Sequence, residues 1–110
     1  MFDKHRDVGA LRVGGTVRPP ELIAASPNVA GATSNIHGLV ILESRISSKG
    51  IVQETKVMKR LPGNSTELAL RLVKSVRFRP GTVFGYPATV IYNISLQVRD
   101  GHVRIVRPGS

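Results

Sequence analysis

A chain of 110 residues, 41% of them hydrophobic, has the size and composition of one folded domain, and with no tryptophan its core must be aliphatic. The absence of cysteine excludes a disulfide framework, thiolate metal sites and a cysteine nucleophile. A formal charge of +9 favours acidic partners such as nucleic acid, an anionic membrane surface or an acidic polymer, yet the basic residues are spread from Lys4 to Arg107 as on a solvated face.

No apolar stretch approaches the ~20 residues of a spanning helix, and the polar start "MFDKHRDVG" carries no secretory signal. The chain therefore reads as soluble where it is made or as a piece of something longer. Residues 1–35 form a loop-rich lead-in, because Gly14, Gly15, Gly31, Pro19, Pro20 and Pro27 interrupt helices and central strands. Short extended pieces are expected at Leu11–Val13 and Leu22–Ile23. Gly31 and the Ser34-Asn35 end disfavour a short helix around Pro27–Ser34.

From Gly38 the pattern sharpens. "GLVILESRIS" places Val40, Leu42 and Ile46 on one face, with Ser44 among them, and Ser47–Gly50 supplies a turn into "IVQETKVMKR", giving a β-hairpin. Val52 and Val57 are out of phase for strict alternation. Either both faces are partly covered or a bulge reverses the pleat between them. "LPGNSTELALRLVKSV" is the one strong helix, with Leu68, Ala69, Leu72, Val73 and Val76 in one stripe. Asn64 and Glu67 have the spacing of a capping box.

Pro80-Gly81 ends the helical run, and Gly85-Tyr86-Pro87 makes a second turn. Then Ala88, Val90, Tyr92, Ile94, Leu96 and Val98 alternate with Thr89, Asn93, Ser95 and Gln97, with only Ile91 off pattern. That is a strand with one buried and one wet face, roughly 36 Å long at about 3.3 Å per residue. The tail from residue 100 to 110 adds a short edge strand or trails off. Hairpin, helix and long strand make an α+β two-layer sandwich, a small antiparallel sheet covered by one main helix.

Catalytic and metal patterns are missing. His5, His37 and His102 lie in unrelated segments, and Glu21, Glu43, Glu54 and Glu67 are scattered. No G-x-S-x-G elbow or phosphate loop occurs. The expectation is a protein that is not an enzyme, with no cofactor, metal or small-molecule substrate. Arg77-Phe78-Arg79 has the composition of a base-stacking contact, but Phe78 also continues the apolar side of the helix and reads better as a buried anchor.

Taken together, Gly38-x-Val40, Ile46-x-x-x-Gly50-x-Val52, Val57 before Leu61-Pro62, Ala69, Phe78-x-Pro80 and Gly85-x-Pro87-Ala88 form an ordered set. In this spacing the chain resembles the C-terminal domain of the TonB family of energy transducers over about residues 36–98. The resemblance implies a domain at 36–99 between the lead-in and the tail, with Gly38, Gly50, Phe78, Pro80, Gly85 and Pro87 setting its geometry. Where the family starts a first helix with Tyr-Pro-x-x-Ala, "SPNVAGATSNIHG" stands instead, so that helix is expected to be short or lost.

The resemblance also implies a periplasmic domain of an inner-membrane-anchored protein. Such domains grip the N-terminal peptide of outer-membrane receptors as a strand added beside their last strand, and so support uptake of siderophores and similar cargo. The expected docking edge is Ala88, Thr89, Val90, Ile91, Tyr92, Asn93, Ile94, Ser95, Leu96, Gln97 and Val98. Its interior lacks the Lys, Pro or bulges with which an edge protects itself, which suits strand addition. Peptidoglycan is a further partner for the basic helix face. Three other outcomes stay open: a homodimer through the same edge, the edge covered by the chain's own tail, and a nucleic-acid binder favoured by charge alone.

Overall fold

The computed structural model describes residues 10–23 and 28–106. His5, the start of the lead-in, Pro27 and the final residues of the tail lie outside them. In chain order the elements are β1 (Leu11–Arg12), β2 (Val17–Arg18), β3 (Glu21–Leu22), β4 (Asn28–Ala30), β5 (Gly38–Ile46), β6 (Val52–Lys59), α1 (Ser65–Ser75), β7 (Phe78–Arg79), β8 (Thr82–Val83), β9 (Tyr86–Pro87), β10 (Val90–Arg99) and β11 (His102–Ile105). It is a small α+β domain with antiparallel sheets and, among the described residues, one helix. That helix is neither long nor apolar enough to cross a membrane. The segment from residue 28 to 37 contains no helix, and β4 stands where a short one had room.

The main sheet runs β4-β11-β10-β5-β6, and β1 joins β10 in parallel beside the end left free by β11. Helix α1 packs against β4, β5, β6 and β11 on one face. Between them lie Val40, Leu42, Ile46, Val73, Val90, Ile94, Leu96, Val98 and Val103, all almost fully buried. Each such aliphatic side chain contributes roughly 1.5–3 kcal/mol by leaving water. Ser44 sits among them and escapes an orphaned hydroxyl by donating to the Leu42 carbonyl at 3.2 Å.

The phase problem in β6 is solved by bulges. Lys59 pairs with Ile41 but Val57 with Leu42, and Glu54 pairs with Arg45 but Val52 with Ile46, so Met58 and Gln53 are the extra residues. The bulge at Gln53 reverses the pleat and returns both Val52 and Val57 to the core side. It also twists the outer edge of β6, and with Lys56 and Lys59 this protects that edge against pairing.

The turn after β5 is locked to the chain beyond the helix. Ser47 Oγ accepts from the Lys49 and Ile51 amides, both at 3.2 Å, and the Gly50 carbonyl accepts from the Phe78 amide at 3.0 Å. Gly50 has φ +79, and a Cβ there would fall 1.7 Å from the Phe78 carbonyl oxygen. Only glycine lets these two backbones touch. Phe78 itself is buried, with Arg77 and Arg79 exposed beside it, as a core anchor requires.

Two expectations change. Asn64 precedes α1 but makes no side-chain cap to it. Its Oδ1 accepts from the Thr33 amide at 2.9 Å and the Thr33 hydroxyl at 3.1 Å, while its Nδ2 donates to the Gly31 carbonyl at 2.8 Å. It staples the lead-in to the helix. The larger correction concerns Ala88–Val98. The strand is interior, because β5 pairs with it from Val90 to Val98 on one side, and β11 and β1 occupy most of the other. A buried tail has covered the edge.

Candidate functional site

The face that β10 turns away from β5 can be followed group by group. The Ser95 carbonyl accepts from the Val106 amide at 2.8 Å, so Ser95 points its backbone toward β11. In an antiparallel ladder alternate residues point the same way. Ile91, Asn93, Gln97 and Arg99 therefore turn their N–H and C=O groups to this side as well. β11 takes the far end, with Gln97 opposite Arg104 and Arg99 opposite His102. β1 takes the near end, with Leu11 beside Val90, Arg12 beside Ile91, and the Leu11 amide donating to the Thr89 carbonyl at 3.1 Å. Asn93 lies between the two and, among the described residues, has no strand partner on that side. A hollow of about 290 Å³ opens there, lined by Arg12, Val13, Ile91, Tyr92 and Asn93.

The two covers are held very differently. β11 carries Val103, which is fully buried, and Ile105, which is nearly so. Removing it exposes two aliphatic side chains worth roughly 1.5–3 kcal/mol each. β1 buries little, since Leu11 is 38% exposed and Arg12 lies on the surface. Its side-chain tie is Arg12 Nη1 to Glu43 Oε2 at 3.1 Å, with the arginine 67% exposed. The Glu43 side chain is only 12% exposed, so the pair is half sheltered, and with its guanidinium in water it is worth on the order of 1 kcal/mol. The segment that can be exchanged is β1, and the edge beneath it runs from Thr89 to Asn93.

Along the strand, Val90, Tyr92, Ile94, Leu96 and Val98 face the helix, with Tyr92 half-buried and the rest buried. Burial pushes the Tyr92 phenol above its ordinary pKa of 10.0. Asn93 is exposed, and Ser95 and Gln97 are half-buried on the opposite face. Ile91 shares that face yet is buried, flanked in register by Arg12 and Arg45 whose aliphatic stems can shield it. Ala88 and Thr89 are half-buried and precede the strand.

The remaining motif residues divide. Gly50 and Phe78 meet, Gly38 opens β5 against the Leu61 side chain, and Pro80 is half-buried. Gly85 and Pro87 sit apart, in an excursion closed by the Ala88 amide donating to the Gly81 carbonyl at 2.9 Å. The turn there is Phe84-Gly85, with φ +49 and +85, and Tyr86–Pro87 is strand rather than turn. β8 pairs with β2 on one side and with β9 on the other, and this small sheet carries Phe84 and Tyr86 outward, both 74% exposed.

The covering hairpin is the outcome, left open by the sequence, in which the chain's own tail adds a short strand over the edge, and it has a local signal. Asp100-Gly101, with φ +50 and +78, is the two-residue reversal that favours Asp-Gly. Among the described residues no three His, Asp or Glu side chains are grouped as metal ligands would be. Compared with family models, with curated proteins and with solved structures, the chain matches none.

Proposed function

We propose that this domain is a peptide-binding module of the TonB-like kind, which pairs by strand addition with the N-terminal peptide of an outer-membrane receptor. In this proposal it is the periplasmic part of a membrane-anchored energy transducer, and its sheet and helix are the two-layer sandwich of that family. The carrying observation is the stretch Thr89–Asn93 at the start of β10, where among the described residues the exposed two-residue β1 and an open hollow lie against the strand. The order of hairpin, helix and long strand, with β10 beside β5, supports the same reading.

An incoming strand takes the place of β1 and uses the Thr89 carbonyl and both backbone groups of Ile91 and Asn93. About five hydrogen bonds at roughly 0.5–1.5 kcal/mol each, together with side chains seated beside Tyr92, support weak, sub-millimolar to micromolar binding. The twisted, lysine-bearing edge of β6 offers no comparable row.

The test is an amide NMR titration of the full chain with synthetic receptor N-terminal peptides. Shifts centred on Thr89–Asn93 are expected. Asn93→Pro should abolish them with the fold intact, because among the described residues the Asn93 amide donates to no neighbouring strand. Removing residues 1–13 should strengthen binding severalfold. Binding unchanged in both variants overturns the proposal, and so does a tight dimer in sedimentation that already occupies this edge.

A further inference from the structure

We infer that the open face of the sheet carries an oxyanion-binding site at the β10–β11 turn, independent of the peptide edge. Across three strands, Asn28 on β4 lies in register with Arg104 on β11, and Arg104 with Gln97 on β10. The next row places His102 opposite Arg99. These side chains, with Asp100, line a hollow of about 250 Å³.

The hydrogen bonds within the cluster decide what it presents. Arg104 Nη2 donates to Gln97 Oε1 at 2.6 Å, and His102 Nδ1–H donates to Asn28 Oδ1 at 3.0 Å. Both amide oxygens are thereby engaged, which leaves the NH2 groups of Asn28 and Gln97 as the donors these side chains can offer. The remaining N–H groups of Arg104 and the guanidinium of Arg99 add to them. Asp100 supplies the carboxylate of the group, and its Oδ2 is paired with Arg99 Nε at 3.6 Å. Arg104 has no carboxylate partner among the described residues.

A hollow lined by donors and carrying more guanidinium than carboxylate selects a ligand made of acceptors. Guanidinium groups bind carboxylate and phosphate through paired N–H donors, so the ligand class is a compact oxyanion of one of these two kinds. A neighbouring hollow of about 610 Å³ shares Gln97, Arg99 and Asp100 and continues past His37 and the partly exposed Leu39. It leaves room for the remainder of a larger molecule bearing the anionic group.

The experiment titrates the full chain with inorganic phosphate and, in a parallel arm, with succinate, at ionic strength held constant with sodium chloride. Side-chain resonances of arginine, asparagine, glutamine and histidine are followed by NMR. Saturable shifts confined to Asn28, Gln97, Arg99, His102 and Arg104 are expected, with millimolar affinity, and the tighter arm identifies the anion. Arg104→Gln should weaken binding at least tenfold, whereas Arg71→Gln, the same charge change on the exposed face of α1, should change it less than twofold. Equal losses in the two variants, or shifts that rise without saturating, overturn the site. Asn93→Pro should leave anion binding unchanged, so failure of the peptide proposal and failure of this one are separable.

Discussion

Replacing Gly50 with alanine tests the contact that ties the hairpin to the chain after the helix. An L residue at φ +79 costs about 1–2 kcal/mol in backbone strain. The larger penalty is steric, because the new Cβ would lie 1.7 Å from the Phe78 carbonyl oxygen, far inside contact distance. Relief requires the two backbones to separate by more than an ångström. That breaks the Phe78 amide bond to the Gly50 carbonyl, worth about 0.5–1.5 kcal/mol. It also draws the buried Phe78 ring partly out of its site, at a fraction of the 3–5 kcal/mol of a full Phe→Ala truncation. The total is about 3–5 kcal/mol, against roughly 5–15 kcal/mol for a whole domain. Gly85→Ala is the internal control, since Gly85 has φ +85 and nothing within 4 Å of its added Cβ. It carries the strain and the same loss of unfolded-chain entropy, but no clash. Urea unfolding followed by circular dichroism should give a midpoint for Gly50→Ala well below that of Gly85→Ala, corresponding to about 2–3 kcal/mol at constant slope. Equal midpoints would refute the reasoning.

Asn64→Ala removes three hydrogen bonds to Gly31 and Thr33 and should cost about 1–3 kcal/mol in the same unfolding assay. Glu67→Ala, at the other corner of a capping box that does not form, should change stability by less than about 0.5 kcal/mol. For pH, the Tyr92 phenol is raised by burial in the folded chain, so the fold retains a proton that the unfolded chain releases near the ordinary value. Its contribution is fully present below pH 10.0 and is lost as the pH climbs through the folded value. Unfolding free energy should therefore fall in alkaline solution, and Tyr92→Phe should flatten that fall in pH-dependent urea titrations.

What could be read from the sequence was what local periodicity records. The hairpin, the helix and the alternation of β10 depend on residues a few positions apart, and the phase shift between Val52 and Val57 was enough to require a bulge. The covering of β10 was only partly legible in the same way, because β1 lies far off in the chain, at Leu11–Arg12, while β11 follows at once, at His102–Ile105, in a tail that read equally as an edge strand or a trailing end. Two local traces pointed to it all the same. One is Asp100-Gly101, and the other is Ile91, the apolar residue out of phase on the wet face, which is buried because that face is shielded there. Asn64 shows the opposite case. Its type and position fit a helix cap, and the same oxygen was claimed by Thr33 instead, a choice that only the tertiary arrangement decides.

The central place of β10 has a consequence for how the chain is made. The strand that joins both halves of the sheet is made after β5, β6 and α1, and β1 pairs with it across most of the described residues. At about 5–20 residues per second of synthesis, β5 and β6 wait several seconds with an inner edge open before their neighbour arrives. During that interval the hairpin resembles an unfinished sheet, and the bulges that guard its outer rim do nothing for the inner one. Early in the chain's life, protection against wrong pairing rests on speed of translation and on chaperones rather than on the finished fold.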